Sequence, residues 1–156
     1  MAEIAIELRR KFQVGVPAEH AFDLLADVPR SVGHFPKLKQ LVELGDNAYR
    51  WEMEPMGTAG ISHQVVYACR YQPDAQQRSV VWTPVPKVGN GRIQGQWTLT
   101  PIAAGTAIAF HTHGALDVPV PRLLRSVAEP FVTAEFTRSV DTYISRLCET
   151  LGGRTG

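Results

Sequence analysis

The spacing of apolar residues changes once along this chain, and that change limits the fold more than any other feature. Up to about residue 116, apolar side chains recur mostly at every second position; beyond it they recur every three to four. A period of two belongs to a strand with one buried face, and a period near 3.6 to an amphipathic helix. The chain therefore lays down a run of strands and ends on one long helix. A short helical stretch interrupts the run near the N-terminus. Strands with one apolar face need a cover, and the terminal helix can supply it.

Ile4, Ile6, Leu8, Arg10, Phe12 and Val14 alternate with Ala5, Glu7, Arg9, Lys11 and Gln13, so the first segment is a strand with Arg10 as the exception on its apolar face. Pro17 ends it and suits the first turn of a helix over residues 18–26, where Ala21, Phe22, Leu24 and Leu25 form the apolar stripe. Pro29 stops that helix, and a second helical turn is expected within residues 30–35. Strands are expected at residues 38–44, 48–54, 61–71, 78–83, 92–100 and 106–116, with residues 56–60 as a loop. Gly89-Asn90-Gly91 is the strongest hairpin signal among the connections. Connections this short pair sequence neighbours antiparallel, as a meander. Residues 121–151 form the terminal helical segment, stopped by Gly152 and Gly153. Val132, Phe136, Val140, Tyr143, Ile144, Leu147 and Leu151 share one face of it.

Composition narrows the function. A chain of 156 residues, 44% hydrophobic and 20% charged, fits one domain over residues 1–156. Sixteen basic and fifteen acidic residues leave a net charge of +1, with no electrostatic footprint for nucleic acid. No apolar run reaches the roughly 20 residues of a bilayer span, and the charged N-terminus lacks a signal-peptide core. A cytoplasmic protein is expected. Cys69 and Cys148 match no metal spacing and are expected as buried thiols.

Val16-Pro17-Ala18, Phe22-Asp23-Leu24-Leu25-Ala26-Asp27, His34-Phe35-Pro36, Gly45-Asp46-Asn47, and Trp97-Thr98-Leu99-Thr100-Pro101 with Gly105-Thr106 appear in this order within the element pattern. The pattern resembles the START-like, Bet v 1-like helix-grip superfamily, and within it the bacterial polyketide cyclase/dehydrase-type and carbon-monoxide-dehydrogenase-subunit-G-like branches. The resemblance implies an α+β fold, a curved seven-stranded antiparallel sheet wrapped around a long C-terminal helix. It also implies a cavity under that helix for a hydrophobic small molecule such as a lipid, polyketide or quinone. No cofactor is implied, and function lives in the site rather than in the fold.

The inward strand faces would line such a cavity with Trp51, Met53, His63, Val65, Tyr67, Trp82, Trp97 and Phe110, and the helix would add Phe136. The same aromatic residues also serve as plain core. His63 and Tyr67, four apart on one strand face, are candidate proton-transfer groups, with Arg10 as a carbonyl orienter; the competing reading makes His63 a hydrogen-bonded histidine at a cavity rim and Arg10 a strand-end residue reaching solvent. Three readings stay open: a carrier or sensor of a hydrophobic molecule, a cyclase/aromatase or dehydratase, and a docking protein.

Two further motifs have competing readings. Pro130 either splits the terminal segment into two helical pieces, or a nearly continuous helix turns Arg125 and Glu129 toward the cavity mouth. In the latter case Leu123, Leu124, Val127 and Phe131 would face a ligand entrance, a partner subunit of a homodimer or a membrane surface. His111-Thr112-His113 is the one H-x-H, with both rings on the same side of a strand, but that side faces outward. The third ligand would have to come from a neighbouring strand and none is evident in the sequence, so no metal is expected.

Overall fold

In the computed structural model, which describes residues 1–58 and 61–155, alternation builds the sheet as the spacing predicts. Strand β1 (Ala2–Val14) buries Ala2, Ile4, Ile6, Phe12 and Val14, half-buries Leu8 and Arg10 on the same face, and exposes the residues that alternate with them. Helix α1 (Ala18–Ala26) buries Ala18, Ala21, Leu24 and Leu25. Helix α2 (Val28–Val32) starts one residue before Pro29, with the Asp27 carboxylate accepting the Arg30 N–H at 3.3 Å. Pro29 thus opens a helix instead of closing one, because a first-turn residue has no intrahelical use for its N–H.

Strands β2 (Leu38–Gly45), β3 (Ala48–Met53), β4 (Met56–Thr58), β5 (Ile61–His63), β6 (Val66–Asp74), β7 (Ser79–Pro84), β8 (Gly91–Ile102) and β9 (Gly105–Val118) follow. Among the described residues, seven of the nine strands form one curved antiparallel sheet in the order β1-β9-β8-β7-β6-β3-β2, and β4 pairs with β5 in a separate ribbon. The meander therefore runs from β2 to β9, and β1 closes onto its last strand. This is the α+β helix-grip arrangement, with a long C-terminal helix held against the concave face.

That helix, α3 (Arg125–Thr150), follows a 3-10 turn at Arg122–Leu124 and runs unbroken through Pro130. Proline removes one backbone donor there, but Ser126 and Pro130 are exposed, so water can satisfy the released carbonyl. The two halves of α3 differ. Val140, Tyr143, Ile144, Leu147 and Cys148 are buried, and no residue of the first half is. Burial of each large apolar side chain contributes about 1.5–3 kcal/mol, so the second half anchors the helix. Arg10 adds a bidentate pair to Asp141, at 2.8 and 3.2 Å, that ties β1 to α3.

The strand expected over residues 61–71 is interrupted, and the loop expected over residues 56–60 is partly strand, with residues 59 and 60 outside the described residues. The break at Gln64–Val65 has a specific cause. Asn90 does not sit in a two-residue hairpin turn. Its side-chain amide donates to the Gln64 carbonyl at 2.7 Å and accepts the Val66 N–H at 2.9 Å. Its own N–H donates to the Val66 carbonyl at 2.8 Å. Gly89 lies against the same carbonyl, where an added Cβ would come within 2.0 Å of the Val66 oxygen, and its φ is +69°.

Asn90→Ala leaves the Gln64 and Val66 backbone groups without these partners. Urea unfolding should show a loss of about 1–3 kcal/mol. Gly89→Ala should cost more than Asn90→Ala, because it adds a backbone collision to an unfavourable φ.

Candidate functional site

The concave face of the sheet and the underside of α3 enclose two adjoining hollows. The outer one, about 70 Å³, is walled by Met53, His63, Val65, Tyr67, Leu116 and Val132, with Lys37 and Glu135 at its polar edge. The inner one, about 40 Å³, is ringed by Trp51, Tyr71, Trp82, Trp97, Phe110 and Tyr143. Phe35, Tyr67, Ile93 and Phe136 line both and so form the partition between them. A wider cleft between residues 15–19 and the β8–β9 turn is open to solvent at the far end of β8.

The inner hollow is built from aromatic edges and faces. Trp51 stacks on Tyr67 with centroids 5.3 Å apart, and Phe35 meets Trp51 edge-on at 5.1 Å. Trp97 packs against Phe110 at 4.7 Å. Two of the polar handles are paired: Trp51 Nε1 donates to Tyr71 Oη at 3.0 Å, and Tyr143 Oη bonds Ser31 Oγ at 2.6 Å. Burial pushes the Tyr143 phenol up to about 12 and Tyr67 well above its ordinary value. Both stay neutral donors. Cys69 is equally inert: burial takes its thiol to about 12, and its S–H points at the Ile93 carbonyl.

The outer hollow contains one unpaired polar group. His63 Nδ1 is buried and has no hydrogen-bond partner among the described residues. Burial also lowers the His63 pKa, so the ring is neutral at physiological pH. An orphaned polar atom on an apolar wall costs free energy unless something arrives to pair with it. At the edge, Lys37 Nζ reaches Glu135 Oε1 at 2.6 Å, joining the loop before β2 to α3 across the opening. Arg138 holds the other Glu135 oxygen at 3.1 Å. Lys37 is itself fixed with φ +58°, and its carbonyl accepts the Glu54 N–H.

Of the residues singled out from sequence, Met53, His63 and Val65 line the outer hollow, Trp51, Trp82, Trp97 and Phe110 the inner one, and Tyr67 and Phe136 both. Arg125 and Glu129 line neither. The continuous helix does not turn them into the mouth; they stand about half exposed, 3.8 Å from one another. Arg10 is likewise engaged elsewhere, with Asp141. Leu123, Leu124, Val127 and Phe131 are exposed, Leu123 at 93%, and Phe131 sits one helical turn before Glu135. Among the described residues, no helix is long and apolar enough to cross a membrane. Sequence reasoning missed Phe35, Lys37 and Glu135; the motif His34-Phe35-Pro36 was visible, but only its fold role was read from it.

Solved structures of several proteins share this architecture. A START superfamily protein from Mycobacterium smegmatis aligns over 94% of this chain and 97% of its own, with a TM-score of 0.66 at 12% identity. The Zhui aromatase/cyclase from Streptomyces sp. R1128 aligns over 93% and 91%, at 0.61 and 15%. Norcoclaurine synthase from Thalictrum flavum aligns over 94% and 96%, at 0.61 and 13%. At such identities the likeness is one of fold. No curated protein sequence matches. The sequence model described as polyketide cyclase / dehydrase and lipid transport matches residues 5–147, nearly the whole length, and the chain belongs to that family.

Proposed function

We propose that this protein binds a hydrophobic, ring-containing small molecule between the sheet and α3, with a polar group of the ligand meeting His63. The observation that carries this reading is the buried, unpartnered His63 Nδ1 on an otherwise apolar wall. Aromatic faces suit planar ligands, which stack on them at modest entropic cost. Membership of a family of cyclases and lipid transporters supports the same class of occupant.

Size adds a condition. Hollows of about 70 and 40 Å³ are each well below the roughly 150 Å³ that accommodates a single benzene. A larger ligand must therefore displace the partition. Phe35 and Phe136 are only partly buried, and Phe136 lies just before the anchored half of α3. Swinging Phe136 outward would merge the hollows, and releasing Lys37 from Glu135 would open the edge.

A second reading, catalysis, is favoured by a neutral imidazole and a phenol on one wall. His63 would accept a proton from an activated methylene, and Tyr67 would donate a hydrogen bond to the neighbouring carbonyl. Arg10 has no part in this version, being held by Asp141. Binding and turnover separate the two readings. Under catalysis, His63→Ala and Tyr67→Phe keep ligand affinity within a few-fold and lower turnover of a poly-β-ketone model substrate by about 100-fold or more. A carrier shows no turnover even in the wild type.

Titration with anilinonaphthalene sulfonate, read by quenching of the three tryptophans around the inner hollow, should saturate at one site. Ile93→Phe overfills the wall shared by both hollows and should weaken that site at least tenfold. Equal affinity in the two proteins would place the probe elsewhere and remove support for the cavity. Lys37→Ala should raise the dissociation rate several-fold in stopped flow, with little change in melting temperature, because an exposed ion pair contributes only about 0.2–1 kcal/mol.

Because folding lowers the His63 pKa, its contribution to stability is intact above pH 6.5, near the ordinary histidine value, and declines as pH falls below it. The unfolded chain takes up the proton first. Melting temperature measured from pH 8 to pH 5 should fall less in His63→Asn than in the wild type.

A further inference from the structure

The outer face of the sheet holds a cluster with no part in the cavity. His111 and His113 stand on the same side of β9, rings stacked with centroids 5.0 Å apart and 28° between their planes. Strand β1 pairs with β9 so that Glu7 lies directly opposite His113 and Arg9 opposite His111. The third donor that the H-x-H motif lacked in sequence is therefore Glu7, over a hundred residues away along the chain. One ligand atom from each of Glu7, His111 and His113 lies within 4.8 Å of the others.

We propose that Glu7, His111 and His113 form a binding site for one late first-row divalent cation, zinc foremost, on the outer face of the β1–β9 pair. Two imidazoles and one carboxylate are a donor set that zinc, nickel and copper take readily, and three protein ligands leave a further position for water. The geometry is close to assembled. His111 Nε2 already sits 2.9 Å from Glu7 Oε2, so the ring and carboxylate need only part slightly around an ion.

A second observation points the same way. His113 Nδ1 is buried and without a hydrogen-bond partner among the described residues, although the ring stands on the outer face. Its Nε2 is met by the Gln94 side-chain amide of β8. If the amide N–H donates, Nε2 accepts and the proton resides on the partnerless Nδ1. The histidine thus has hydrogen-bonding capacity that its protein neighbours do not use. With the Gln94 amide turned to present its oxygen, Nε2 carries the proton and donates it, and Nδ1 keeps the free lone pair; this is the outer contact that orients a ligating imidazole.

The only nearby competitor among the described residues is Arg9, whose Nη2 is 4.0 Å from Glu7 Oε2 with its side chain 72% exposed. It is free to swing into solvent. An ion here would link the first and last strands and stabilise the folded chain by mass action.

The test uses tag-free, chelator-treated protein titrated with zinc chloride by calorimetry, and with cobalt(II) by visible absorption. The expected result is one zinc per chain, bound at least tenfold more weakly by Glu7→Gln and not measurably by the His111→Gln/His113→Gln double variant. Cobalt(II) should show ligand-field bands in the wild type that vanish in the double variant. These positions face outward, so the variants should match the metal-free wild type in circular dichroism and melting temperature. Zinc should raise the melting temperature of the wild type only. Equal zinc uptake and an equal thermal shift in wild type and double variant would overturn the site, as would no uptake by either.

Discussion

Thirteen residue pairs join the first strand of the chain to the last, Ala2 opposite Val118 through to Val14 opposite Thr106. Everything else depends on that ladder. Without it β9 would be an open edge, and the concave face would lose the wall formed by Ile4, Ile6 and Phe12. The ladder also sets which distant groups meet. It brings Glu7 to the two histidines of β9 and places Arg10 where Asp141 of α3 can grip it. Its register is well specified, because a one-residue slip would turn every buried side chain of β1 to water. The cost is kinetic: the pairing joins residues that lie far apart along the chain, from Val14 with Thr106 to Ala2 with Val118, so it should be among the later events in folding.

Much of the fold was legible in the sequence, and the reasons are local. The alternation in residues 4–14 and 92–100 reports burial directly, and the stripe from Val140 to Leu151 reports the face that α3 presents. Helix α1 was readable to its ends, because Pro17 and the apolar stripe both act within a few residues. Where the reading departed from the structure, the cause was a contact between residues far apart. Residues 61–71 keep a strand-like alternation, yet Asn90 intercepts the backbone at Gln64 and Val66. Asn90 itself looked like a hairpin residue because Asn-Gly so often is one. Arg10 looked free to enter a cavity, since nothing in its own strand announces Asp141.

The candidate site divides the same way. Its aromatic lining could be listed from strand periodicity, because inward and outward positions alternate strictly. Its edge could not. Lys37 and Glu135 are ninety-eight positions apart, and each alone is an ordinary surface charge. Phe35 belongs to no strand or helix, so no periodicity marks it, although it divides the two hollows. The H-x-H motif was visible, but its third donor was not, because pairing of β1 with β9 in a particular register is a property of the closed sheet. Tryptophans counted as a set suggested a roomy interior; the folded chain packs each of them against neighbouring aromatic rings and leaves little resting space. Core and proposed binding surface are here the same residues, so a ligand would have to compete with the packing that stabilises the protein.

Helix α3 is anchored at one end only. Its second half is buried, while its first half carries an internal proline, an exposed apolar stripe and no fully buried side chain. Local opening free energies are low where buried contacts are few, so the first half should visit a raised state that the second half does not. If the raised state is the one that admits a ligand, apparent affinity equals intrinsic affinity scaled by the fraction of time the helix spends there. Substitutions at Pro130 or along the outward surface of residues 125–134 would then tune affinity without touching the ligand. Relatives with identical cavity walls could differ widely in how tightly they hold the same molecule.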